Sequence, residues 1–168
     1  MKTQDTHAAQ PASEVGHAAV AEWLAASLHR PGSAYRQWAD CLLASLALGR
    51  RFSAVRLTDH MVYAAAGKPS AVGAFLRILA GPVIHAPHSR AFYALVPPSS
   101  PGPDLGRHAT YLGLGHYIGV PRVGDDRPDR LASYWLVPMC APGVLCNPVR
   151  VGELVEAGTA ALAEQDDW

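Results

Sequence analysis

Two apolar runs, Pro82-Val83-Ile84 and Ala91-Phe92-Tyr93-Ala94-Leu95-Val96, constrain this chain most, because each is short and closed off by Gly, Pro or Ser. Bounded runs of that length read as buried strands rather than helices. They open a stretch, Gly81 to Arg122, in which further short segments, Thr110 to Gly113 and Tyr117 to Val120, follow without room for helical crossovers. Consecutive strands joined by short connections pair antiparallel. Ser133 to Val137 is read as the last strand, and Phe52 to Leu57, with its alternating pattern, as the first.

The flanks carry helical periodicity. Glu14 to about His29 is read as a first helix behind Ser13, and a second runs from Ser33 to Leu48 with Tyr35, Trp38, Cys41, Leu42 and Leu46 on one face. The Arg30-Pro31-Gly32 turn folds them into a hairpin, with Trp23 and Trp38 as packing anchors. Thr58-Asp59 caps a short helix stopped by Gly67, and Ser70 caps another. Asn147-Pro148 supplies the cap and first residue of a final helix reaching about Glu164. The expected class is α+β: a largely antiparallel sheet packed with an N-terminal helical hairpin, two short middle helices and a C-terminal helix. The expected limits are a disordered tail over 1–12, one domain over 13–164, and a frayed acidic tail over 165–168, where the helix dipole disfavours Asp166 and Asp167.

Composition narrows the function classes. A chain of 168 residues with mean hydropathy near zero (+0.06) buries one core, shows no transmembrane run and no secretory leader. Three cysteines without a CxxC pair fit free thiols, and a cytoplasmic location is expected. Zero formal net charge at pH 7 removes any global attraction to nucleic acid or membranes. A local patch remains: between Arg50 and Arg130 ten basic residues face five aspartates. Arg51, Arg56, Arg90, Arg107 and Arg122, with Tyr93 and Tyr117 to stack on bases and His85 and His116 nearby, are the candidate binding residues.

Catalytic motifs are missing by spacing. His85, His88 and His116 have no HExxH or HxH arrangement, so no metal and no cofactor is expected. Gly113-Leu114-Gly115 precedes a strand, not a helix, and lacks the lysine of a phosphate loop. Asp125-Asp126 alternates to opposite sides if extended, so no same-face pair exists for two-metal phosphoryl transfer. The rival reading is a small-molecule enzyme or binder with a pocket of His85, His88, His116 and Cys140. A third is a structural subunit, with homo-oligomerisation left open.

The order of short motifs carries a resemblance. Trp23-Leu24, Trp38, GRRFSAVRL (49–57), GPVIHAP (81–87), YALVPP (93–98), LGLGHYIGVPR (112–122), YWLVPM (134–139) and PGVLCNP (142–148) make the chain resemble small actinobacterial, Streptomyces-type proteins labelled bifunctional DNA primase/polymerase, over about residues 20 to 158. The label implies a primase-like domain that binds nucleotides and template. Paired metal-binding aspartates on a strand are absent, so the resemblance implies a non-catalytic relative that engages nucleic acid or a protein partner in DNA metabolism.

Overall fold

The computed structural model describes residues 9–99, 102–128 and 132–167, with side-chain environments from Glu14 onward. Among these the helices are α1 (Ala9–Ala25), α2 (Gly32–Cys41), α3 (Asp59–Ala66), α4 (Val72–Leu76) and α5 (Pro148–Asp166). The strands are β1 (Leu43–Ala47), β2 (Ser53–Thr58), β3 (Val83–Ala86), β4 (Ala91–Val96), β5 (Ala109–Leu112), β6 (Tyr117–Pro121) and β7 (Tyr134–Val137). A five-stranded sheet has the order β5-β2-β4-β3-β7, and β1 pairs β6 in a two-stranded sheet, all ladders antiparallel. The chain is α+β, with the helical pair, middle helices and final helix expected.

Several expectations need correction. The second helix stops at Cys41, because Leu42 turns left-handed (φ 64), and Leu43 to Ala47 is strand β1. Ala44, Leu46 and Leu48 are buried in alternation, so the Leu/Ala run fits a period of two as well as 3.6. Pairing with β6, 70 or more residues away, settles the ambiguity against helix propensity. Cys41, grouped on one helix face with Trp38, is exposed while Trp38 is buried. The first helix spans Ala9–Ala25 rather than 14–29, so residues 9–12 of the expected tail are helical; residues 1–8 lie outside the described residues. Neither Thr58 nor Ser70 caps: Thr58 makes no side-chain cap bond, and Ser70 lies inside a 3-10 turn (Pro69–Ala71). At the other end α5 extends to Asp166, two residues beyond Glu164, with Asn147 accepting from the Val149 and Arg150 amides as a side-chain cap should.

The five-stranded sheet is sandwiched. One face carries Ala54, Ile84, Leu95 and Trp135 against Leu24, Trp38, Leu46 and Val120 of the N-terminal helices and the small sheet. The other carries Val55, Leu57, Phe92 and Ala94 against Met61, Val62, Leu76, Leu154 and Val155 of α3 to α5. Each of the buried Val, Leu, Ile, Met and Phe side chains contributes about 1.5–3 kcal/mol by leaving water, and each alanine well under that. Trp23 and Trp38 do act as anchors, though not on each other. Trp23 packs on Phe52, while the Trp38 and Trp135 indoles donate to the Val120 and Pro121 carbonyls at 2.9 and 3.1 Å, holding β6 between α2 and β7.

Two close backbone approaches hold the layers in register. At Gly49 (φ +99) a Cβ would meet the Leu114 backbone, so the β1–β2 and β5–β6 turns touch there. At Gly81 it would meet the backbone of Leu145 and Cys146, beside the Cys146 amide's 2.7 Å bond to the Leu95 carbonyl. Among the described residues no helix is long and apolar enough to cross a membrane.

Candidate functional site

Strand register gathers charge at one end of the five-stranded sheet. Arg56 on β2 lies opposite Tyr93 on β4 and Thr110 on β5, and paired residues project from the same face. Two residues on, the Thr58 amide donates to the His108 carbonyl and the Asp59 amide to the Arg90 carbonyl, both at 3.0 Å. These bonds bring Arg90, Arg107 and His108 alongside the start of α3. Arg56 reaches across the same end, its Nη2 donating to the Ser89 carbonyl at 3.2 Å.

Asp59 is the acidic group at the centre of this cluster, next to the positive end of the α3 dipole. Its carboxylate lies 3.7 Å from Arg90 Nε and 3.7 Å from His60 Nδ1. The Arg90 side chain is 82 % exposed and that of Asp59 only 15 %. Such an open pair adds little stability and leaves the guanidinium free to take another anion. Arg90 is held in a left-handed conformation (φ 54), which costs about 1 kcal/mol for a residue with a Cβ. His60 meets His108 edge to face, with ring centroids 5.3 Å apart.

His85 sits on the opposite face of the sheet, under α3. Its ring stacks on Phe92 at 4.2 Å, and its Nδ1 is 2.8 Å from the Tyr134 hydroxyl. Burial lowers the His85 pKa, with the Asp59 charge opposing, and burial raises that of Tyr134, helped by Tyr63. Both shifts favour a neutral pair; with the ring proton on Nε2, the Tyr134 hydroxyl donates to Nδ1. His85 is therefore an ordered, half-buried packing group and not part of an exposed basic surface.

The remaining predicted residues stand elsewhere. Arg51 lies over the Trp23 ring, 5.8 Å from its centroid, in the β1–β2 turn. His116, the last residue of the β5–β6 turn, and Tyr117, the first of β6, are both exposed near the contact with Gly49. Arg122 follows the other end of β6, exposed beside Tyr35 and Trp38. Of the nine binding candidates, the sheet end brings Arg56, Arg90, Arg107 and Tyr93 together.

The pocket imagined for His85, His88, His116 and Cys140 is not assembled from one neighbourhood. His85 is on β3, His88 exposed in the turn before β4, and His116 in the β5–β6 turn, beyond the opposite edge strand of the sheet from β7. Cys140 is exposed, whereas Cys146 is buried, donates to the Pro82 carbonyl at 3.3 Å, and has its thiol pKa pushed up to about 12 by burial. A thiol so held is no nucleophile at neutral pH. Among the described residues no group of three or more His, Cys, Asp or Glu side chains is placed to hold a metal ion.

Sequence reasoning missed Asp59, His60, His108 and Tyr134 as members of these clusters. Apart from the adjacent Asp59 and His60 they follow no local motif; backbone bonds at the ends of β2 join Asp59, His60 and His108 to Arg90, and the β3 to β7 register joins Tyr134 to His85. In comparisons with family models, curated proteins and solved structures, none matches this chain.

Proposed function

We propose that the chain is a non-catalytic, primase/polymerase-like binding protein that engages single-stranded nucleic acid in the cytoplasm. The observation that carries the reading is the convergence of Arg56, Arg90 and Arg107 at one sheet end, with Tyr93 in register beside Arg56. Guanidinium groups at one sheet end, one of them in register with a partly buried tyrosine, suit a flexible strand whose phosphates take the charge and whose bases stack. The motif resemblance to primase/polymerase-labelled proteins points the same way. The non-catalytic part of the reading draws on the sequence, in which no paired aspartates stand on a strand as two-metal nucleotide addition requires. Three free thiols agree with a reducing compartment.

The test is fluorescence anisotropy with a labelled oligo-dT at low and high salt, on the parent chain and on Arg56→Ala/Arg90→Ala. The parent is expected to bind more weakly at high salt, and the variant to lose about 10- to 100-fold in affinity at unchanged melting temperature. Equal affinity of the two proteins, or none for DNA beside clear binding of an acidic peptide, refutes the nucleic-acid reading and favours a protein partner.

A further inference from the structure

We propose a second and separate binding site, for a neutral planar molecule, in the groove beneath the proline-rich loop at the other end of the sheet. The groove encloses about 350 Å³, bounded by Val55, Val96 and Tyr111 of the sheet, Leu105 of the loop and Val151 of α5. That volume falls within the roughly 300–1,000 Å³ of small-molecule pockets.

The groove is built and not merely left over. Val55 and Tyr111 are in register and so share a face, which forms the floor. The roof is tied to Tyr111, whose hydroxyl accepts from the Ser99 amide at 2.6 Å and donates to the Ser99 carbonyl at 2.9 Å. Farther along the loop, Gly102 lies so close to the Tyr111 ring that a Cβ there would run into it. Pro97, Pro98, Pro103 and Pro148 make up much of the rest. Proline rings have no side-chain rotamers with which to swing into the gap.

The lining sets the ligand's chemistry. Among the described residues it holds Val, Leu, Pro, Tyr and Ser side chains and no charged group, so an ion placed there would be desolvated without a partner. Proline faces and a tyrosine ring suit a flat apolar body. An uncharged bicyclic aromatic, of which indole is the simplest probe, satisfies both requirements.

The test is an amide chemical-shift titration of the whole chain with indole, and with indole-3-acetate as the charged counterpart. Saturable shifts confined to Val55, Val96, Tyr111 and Val151, with indole-3-acetate at least about tenfold weaker, are expected. Leu105→Trp, which fills the groove from the loop, is expected to weaken indole at least about tenfold with its spectrum otherwise preserved. Shifts scattered over the surface, equal affinity for the acid, or undiminished binding by a folded Leu105→Trp would each overturn the proposal. If Leu105→Trp does not fold, the comparison of neutral and charged probes on the parent chain still decides. A proline-rich peptide that moves the same amides more tightly than indole would reassign the groove to a protein segment.

Discussion

The two ends of the five-stranded sheet make opposite use of the same strands. Strand β2 leaves the proline-loop end at Ser53, fully buried, and reaches the other end at Thr58 and Asp59, where Arg56, Arg90, Arg107, His60 and His108 gather. At the first end backbone is packed against backbone, as at Gly49 and Gly81, and the groove has no charge. At the second the side chains are long, charged and largely open to water, and Arg90 holds a strained conformation. The difference sets close backbone packing at one end against open cationic side chains, the proposed anion-binding groups, at the other, so substitutions should separate stability from binding.

The largest effect is expected from Gly81→Val. Its side chain would displace the Leu145–Cys146 backbone and with it the bond to the Leu95 carbonyl, costing about 3 kcal/mol in a urea titration without changing oligonucleotide affinity per folded molecule. Tyr111→Phe comes next, since it removes both bonds to Ser99; about 1.5 kcal/mol should be lost, again with unchanged binding. The charged end should respond with the opposite sign. Arg90→Gly relieves the left-handed backbone and is expected to raise stability by up to about 1 kcal/mol while weakening DNA binding several-fold. A stability loss there, or binding losses from Gly81→Val, would break the comparison.

The smallest effect is a pH dependence. The folded pKa of His85 lies below its ordinary value near 6.5, so its contribution is present above that value and is lost as pH falls through the folded one. Denaturant midpoints measured at pH 7.5 and 5.5 should fall on acidification, and His85→Phe should flatten the slope. An unchanged slope would detach His85 from the titration.

The class and most strand positions were legible because the runs at Val83–Ala86 and Ala91–Val96 have the length, β-branched content and Gly/Pro boundaries of strands. Leu43–Ala47 was not, because small apolar residues satisfy both periods and only the β6 pairing decides. The candidate site was half legible. Arg56 and Tyr93 stood out by type, but their juxtaposition is a fact of register, as is the distance of Arg122 and His116 from them. His85 was misread as part of the surface patch because a histidine in a turn-bounded run looks the same whether it faces solvent or, as here, a phenylalanine ring.

The most direct test of the division is the salt dependence of oligo-dT affinity for the parent chain and for Arg56→Ala/Arg90→Ala/Arg107→Ala. With about 0.7 units of log–log slope lost per phosphate contact, removing all three contacts should flatten the slope by about 2 while the urea midpoint holds. An identical slope in the two proteins would contradict the assignment of anion binding to this end of the sheet.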